Sequence, residues 1–335
     1  MSDRSESRWP AAAKRLRAAL AETVRVNASL RANVADLSER YRAGSSVTAN
    51  VSGPDEAMAY LAYRMPATFQ ATGAAMRATA LVDPAFAPRS LLDVGAGPGT
   101  AGWAACTAWP TIGEATLVER EPSMIDLGRD LARRSGMSGL AGAEWVRADL
   151  RTWTGEQRDL VTVSYVLGEL GAVAHRDLIH RLWQVTGGLL LIVEPGTPDG
   201  FERVRSARAQ LIEADATVIA PCPHDAACPI VAPDWCHFSA RLERSPVHRR
   251  AKEVELSYED EPYSYVAASR NAVERTARVI ARPASRKGAV SLRLCTDIGI
   301  VDRLVTRREG PAFKVARKLS WGSSVPAEVA DTLIK

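Results

Sequence analysis

Residues 91–105 read "LLDVGAGPGTAGWAA". A short apolar run ends at Asp93, and the chain then passes through Gly95, Gly97 and Gly99 into an Ala-rich pattern that suits a helix. Glycines at such a turn allow positive φ and let the backbone come close to a ligand. The spacing is G-x-G-x-G, with Thr100 where the dinucleotide fingerprint G-x-G-x-x-G places its third glycine. A glycine turn by itself is weak evidence, because any tight strand-to-helix connection favours glycine.

The surrounding sequence gives the turn its context. Short apolar runs at 90–94, 115–119, 144–148, 159–166 and 188–194 alternate with helical stretches. Apolar strands separated by helices predict an α/β fold with a doubly wound, mostly parallel sheet covered on both faces. Ligands of such sheets bind beyond the carboxyl ends of the strands, at the topological switch point. Upstream, Leu16, Leu20, Val24, Leu30, Val34 and Leu37 recur at helical spacing, and Gly44 offers a stop. A further helix through 55–65 is expected to end before Pro66, with Ala-rich helix following to about residue 80. Beyond residue 195 the alternation is lost, and strand-like pieces return at 263–269, 278–282, 289–295 and 299–307. These shifts predict a helical N-terminal region (1–88), a Rossmann-like core (89–215), and a cysteine and β-rich C-terminal extension (216–335).

Two further elements strengthen the reading of the glycine turn. Glu119 ends the second apolar run, where a carboxylate can accept both hydroxyls of a ribose. Asp149 follows the third run, where it can accept from an adenine amino group, with Leu150 beside it. Asp93 stands before the first glycine, and its carboxylate suits a sulfonium cofactor whose aminoacyl part carries an ammonium. The set Asp93, Gly95, Ala96, Gly97, Gly99, Glu119, Asp149 and Leu150 resembles the cofactor site of class I S-adenosylmethionine-dependent methyltransferases. A catalyst is harder to name. The fourth run ends in "SYVLGEL" (164–170), without the Asn/Asp-Pro-Pro-aromatic motif used on exocyclic amines. Glu169 is a candidate general base, although a Glu in this position also serves as a helix cap.

Three of the five cysteines lie in "PCPHDAACPIVAPDWCHF" (221–238), spaced C-x5-C-x7-C at Cys222, Cys228 and Cys236. Cys295 follows after 58 intervening residues. The first twenty residues carry acids and no apolar core of the kind a secretion signal needs, so a cytoplasmic location is expected. In a reducing compartment clustered cysteines indicate metal or catalysis rather than disulfides. Three local thiolates and one distant thiolate suffice for tetrahedral zinc or a four-iron cluster, and the spacing leaves both open. Cys106, alone in an apolar helix pattern, reads as a small buried hydrophobe.

Composition is ordinary for a globular chain, with 46% hydrophobic and 24% charged residues, and no apolar run is long enough to span a bilayer. The net charge of +4 is unevenly placed. Residues 278–318 hold eleven cations against Asp297, Asp302 and Glu309, which leaves the rest of the chain negative. Arg282, Arg286, Lys287, Arg307, Arg308, Lys314, Arg317 and Lys318 are candidate contacts for a phosphate backbone, with a solvated charged surface as the plainer alternative.

Together these features resemble the methyltransferase-like assembly factors of the small ribosomal subunit, found in mitochondria with bacterial relatives. The matching stretches are "YLAYRMPATF" (60–69), "LLDVGAGPGT" (91–100), "VLGEL" (166–170), "IVEPGTPDGF" (192–201), the cysteine loop, "RKGAVSLRLC" (286–295) and "ARKLSWG" (316–322). The resemblance implies S-adenosylmethionine binding, a [4Fe–4S] cluster on Cys222, Cys228, Cys236 and Cys295, and contact with small-subunit ribosomal RNA in a pre-ribosomal particle. A monomer with no membrane partner is expected, and the resemblance leaves methyl transfer open. The alternatives are an active rRNA methyltransferase and a small-molecule methyltransferase with structural zinc.

Overall fold

The computed structural model describes residues 2–42, 51–253 and 255–334. Helices α1 (Ser2–Thr23), α2 (Ala28–Arg42) and α3 (Gly53–Val82) lead the chain. Leu16, Leu20, Val24, Leu30, Val34 and Leu37 are all buried, as their spacing requires. The stop expected at Gly44 lies outside the described residues. α3 departs from expectation by running unbroken through Pro66. A proline inside a helix removes one backbone hydrogen bond and costs about 3 kcal/mol. α3 is buried along most of its length and packs on α2 and other elements of the main core, and that burial outweighs the lost bond.

The core then alternates strand and helix: β1 (Ser90–Val94), α4 (Thr100–Ala108), β2 (Glu114–Glu119), α5 (Pro122–Arg133), α6 (Ser138–Ala141), β3 (Glu144–Arg147), β4 (Arg158–Ser164), α7 (Ala172–Gln184), β5 (Thr186–Pro195) and α8 (Pro198–Glu213). The chain continues through β6 (Thr217–Ala220), β7 (Phe238–Glu243), α9 (Pro246–Lys252) and β8 (Tyr258–Ser269). The sheet order is β3-β2-β1-β4-β5-β8-β6, with β7 paired to the outer part of β8. β1 to β5 are parallel, and β8 runs antiparallel between β5 and β6. This order, with its reversed strand near one edge, is the class I methyltransferase arrangement. Side chains alternate between the faces: Leu91, Leu189 and Leu191 enter the core under α1 to α4, while Leu92, Leu190 and Ile192 enter the core under α7 and α8.

β6, β7 and β8 continue the first sheet past residue 215. A second, antiparallel sheet follows, made of β9 (Arg278–Val279), β10 (Ala284–Arg286), β11 (Ala289–Thr296) and β12 (Gly299–Thr306). It is backed by α10 (Pro311–Ala316) and α11 (Ala327–Ile334), and these elements enclose an apolar core of their own around Val279, Leu292, Leu294, Val305 and Phe313. Among the described residues no helix is long and apolar enough to cross a membrane.

α3 is anchored to β8 by a bidentate pair: Arg64 Nη2 donates to Glu261 Oε1 at 2.7 Å and Nη1 donates to Oε2 at 3.3 Å. Both side chains are largely buried, so each charge depends on the other. Arg64→Met is expected to lower unfolding free energy by about 3–5 kcal/mol, and Arg64→Met with Glu261→Met to recover most of it. Equilibrium urea denaturation reads both values. A double variant as unstable as the single one contradicts the pairing.

Candidate functional site

The glycine turn lies at the carboxyl end of β1, where the strand order reverses between β1 and β4. Gly95, Gly97 and Gly99 have φ of 69°, 54° and 81°, a region that side chains other than glycine's rarely occupy. At Gly95 a Cβ would stand 2.3 Å from Val166 Cγ2, whereas Gly97 faces open space. Glu119 organises the turn. Its Oε2 accepts from Gly97 N at 2.9 Å, and its Oε1 accepts from Arg120 N and Glu121 N at 2.8 and 2.9 Å.

A cavity of about 80 Å³ opens above this turn, walled by Gly95, Gly97, Glu119, Leu150 and Glu169, together with Tyr60 and Tyr165. Five predicted residues therefore meet at one place. The other four sit apart from its walls. Asp93 is only 1% exposed and works from behind the turn. Its Oδ1 accepts from Thr162 Oγ1 at 2.8 Å and its Oδ2 from Gly102 N at 3.1 Å, tying β1 to β4 and α4. Burial raises the Asp93 pKa to about 7. Ala96 is buried, and Gly99 caps α4 with its Cα close to Leu117 and Trp145. Asp149 is clamped by Arg151, whose Nη2 donates to Oδ2 at 2.5 Å and whose hydrogen bonds hold the carboxyl down at about 2.

Glu169 lines the cavity, and burial raises its carboxyl to about 7 despite the Arg120 guanidinium 3.7 Å away. The turn carrying it is fixed by a residue that the strand and helix patterns did not single out. Glu194, fully buried at the end of β5, accepts from Val166 N at 3.0 Å and Leu167 N at 2.9 Å through Oε1. Its Oε2 accepts from Arg203 Nε at 2.8 Å. β4 stops at Ser164, two residues earlier than expected, because Tyr165 adopts φ 61° and turns the chain. The one available signal for Glu194 was an acid inside an otherwise apolar strand, which burial permits only with partners.

A second site forms in the loop between β6 and β7. Cys222, Cys228, Cys236 and Cys295 line one predominantly apolar cavity together with His224 and Arg208. Cys295 comes from β11, so the cavity joins the first sheet's loop to the second sheet. His224 Nε2 stands 3.8 Å from Cys295 Sγ. Burial pushes the Cys222 and Cys236 thiols up, and Cys295 to about 12. Four thiols and an imidazole around one cavity fit the donor chemistry of a thiolate-bound metal group. Among the described residues no group of three or more His, Cys, Asp or Glu side chains is arranged to hold a single ion. Cys106 is apart from this set, buried on α4.

The basic stretch sorts by geometry. Arg282, Arg286, Lys287, Arg307, Arg308, Lys314, Arg317 and Lys318 are all exposed. Arg286 and Lys287 form the β10–β11 turn, and Arg307 N donates to Gly288 O, so four of these cations share one end of the second sheet. The other three cations of the run are used internally: Arg303 pairs with Glu309, Arg293 pairs with Asp234 at 3.0 Å, and Arg278 is buried.

Comparison with known proteins places this geometry in a family. The human mitochondrial ribosome assembly protein METTL17 is 30% identical over 289 residues, 80% of this chain and 62% of that protein. The mitochondrial Rsm22-cox11 tandem protein 2 of Schizosaccharomyces pombe is 25% identical over 328 residues, 82% of this chain and 43% of that protein. The chain thus spans less than two thirds of the length of these relatives. Among solved structures, an O-methyltransferase family protein from Burkholderia thailandensis aligns at 15% identity and TM-score 0.39, covering 59% of this chain and 55% of that one. Magnesium protoporphyrin IX methyltransferase from Synechocystis PCC 6803 aligns at 12% identity and TM-score 0.37, covering 59% and 80%. The model for the family described as mitochondrial small ribosomal subunit Rsm22 matches residues 54–326, from the start of α3 through the second sheet. The chain belongs to the Rsm22 family.

Proposed function

We propose that this chain is a monomeric assembly factor for the small ribosomal subunit. It binds S-adenosylmethionine at the glycine-turn cavity, carries a [4Fe–4S] cluster on Cys222, Cys228, Cys236 and Cys295, and grips small-subunit rRNA with the second sheet. The observation that carries this reading is the convergence of the four thiols on one cavity, with three from the β6–β7 loop and one from β11. β11 also begins at the turn bearing Arg286 and Lys287, so one strand links the thiol site to the exposed cations. A relative named for ribosome assembly supports the same assignment.

At the glycine turn, Gly95 and Gly97 provide close backbone, Glu119 a carboxylate for ribose hydroxyls and Leu150 an apolar wall. When bound, the cofactor supplies an electrophilic methyl group. At the cysteine site, the four thiols would ligate the cluster, which when bound supplies a rigid crosslink and a one-electron couple.

Cys222→Ser is expected to abolish the cluster's visible absorbance and weaken binding to immature small subunits. Binding equal to wild type, with the absorbance gone, contradicts the coupling. Arg286→Ala with Lys287→Ala is expected to lower the slope of log affinity against log salt by about 0.7–0.9 for each phosphate that is no longer neutralised. An unchanged slope removes this turn from the RNA surface.

One observation favours active methyl transfer as a second reading: the Glu169 carboxyl lies in the cavity with its pKa raised to about 7. A general base acts in its ionised form, so transfer to immature subunits rises as pH passes upward through about 7 and then levels. Glu169→Gln is expected to remove that transfer while cofactor binding persists. Labelled methyl transfer that survives Glu169→Gln with the same pH profile contradicts this role.

A further inference from the structure

We infer that Arg208 and Arg278 are the counter-charges of a dianionic metal–thiolate group held by the four cysteines. The inference rests on the metal-site reading above and adds residues to it.

Three arginines in the described chain are buried, Arg64, Arg208 and Arg278, at 7%, 5% and 3% exposure. Arg64 meets the Glu261 carboxylate. The other two meet no described acid. Arg208 Nη2 donates to the carbonyls of His224 and Ala226 at 2.7 and 2.8 Å, and its buried Nε has no partner. Arg278 Nε donates to Pro221 O at 3.0 Å, and Nη1 donates to Gly322 O at 2.9 Å. Carbonyl dipoles satisfy donors, yet they leave the charge itself uncompensated, and an ion buried without an opposite charge is costly.

Both guanidiniums lie beside the cysteine site. Arg208 lines the cysteine cavity, while Arg278 sits opposite Cys295 in the β9–β11 ladder and reaches the carbonyl of Pro221, the neighbour of Cys222. Protonated thiols offer neither arginine a negative charge. Metal binding deprotonates its ligands, and four thiolates around a dicationic centre leave two negative charges in excess. Two buried cations then face a dianion. Arg208 comes from α8 and Arg278 from β9, so the charge match spans the join between the two sheets.

Zinc and a [4Fe–4S] cluster share this chemistry, and the assay has an arm for each. The full chain is purified anaerobically and its metal identified. Arg208→Gln, Arg208→Lys, Arg278→Gln and Arg278→Lys are then compared after circular dichroism has verified folding. With a cluster, the readout is the midpoint in a dithionite titration with mediator dyes. Reduction adds negative charge, so loss of a cation disfavours it. Either Gln variant is expected to shift the reduction equilibrium about tenfold toward the oxidised form, ~59 mV for a one-electron couple, while the Lys variants retain most of the wild-type value. With zinc, the readout is release to a chromophoric chelator, about tenfold faster in the Gln variants and near wild type in the Lys variants. Arg241→Gln on β7 serves as a control, because Arg241 lies outside the cysteine cavity and pairs with Asp260 at 2.8 Å. Equal shifts in the Lys and Gln variants, or none in either, overturn the counter-charge role while leaving the metal site intact. A wild-type chain that binds neither metal overturns the metal site itself, and the counter-charges with it.

Discussion

The two sheets meet through sulfur, guanidinium and aromatic contacts, while each keeps its own apolar core. The second sheet presents Cys295 from β11 and Arg278 from β9 to the loop that runs from Pro221 to Cys236. Arg293 reaches Asp234 on the same loop, and Trp321 packs edge-on against His237 with ring centroids 4.9 Å apart. Contacts of this kind fix orientation, and in the proposed function the group held by the four thiols adds a crosslink at the same junction. The position of the second sheet also sets where the exposed cations of the β10–β11 turn point.

The first sheet solves a different problem, which is to keep an irregular turn rigid at the carboxyl ends of its strands. Two buried carboxylates do this from opposite sides. Asp93 binds Thr162 and the start of α4, and Glu194 binds the backbone after Tyr165 and is itself held by Arg203. The cavity wall at 164–169 is thus supported by β5 and α8 as well as by its own strand. Such support explains how Tyr165 is kept at positive φ beside the cavity.

Much of this was legible in the sequence. Five apolar runs alternating with helices pointed to the parallel sheet, because strands covered on both faces must be apolar throughout. Gly95, Gly97, Glu119 and Leu150 wall one cavity, since they lie at or just past the ends of neighbouring strands. Asp93 and Asp149 show what spacing leaves open: a residue's place on a strand is fixed by pattern, whereas its side-chain partner is not. Asp93 turned inward to Thr162, and Asp149 turned to Arg151. Pro66 misled because local propensity suggests a helix end, and tertiary burial of α3 overrode it. Glu194, Arg208 and Arg278 act through partners far apart in sequence, which no local period records.

The central claim is that a [4Fe–4S] cluster on four cysteines joins the two sheets. Iron and acid-labile sulfide counted in anaerobically purified wild type and in Cys295→Ser test it most directly. The account predicts about four irons and four sulfides per wild-type chain, lost when Cys295 is replaced. Iron retained in full without Cys295, or a wild-type chain free of iron, would contradict it.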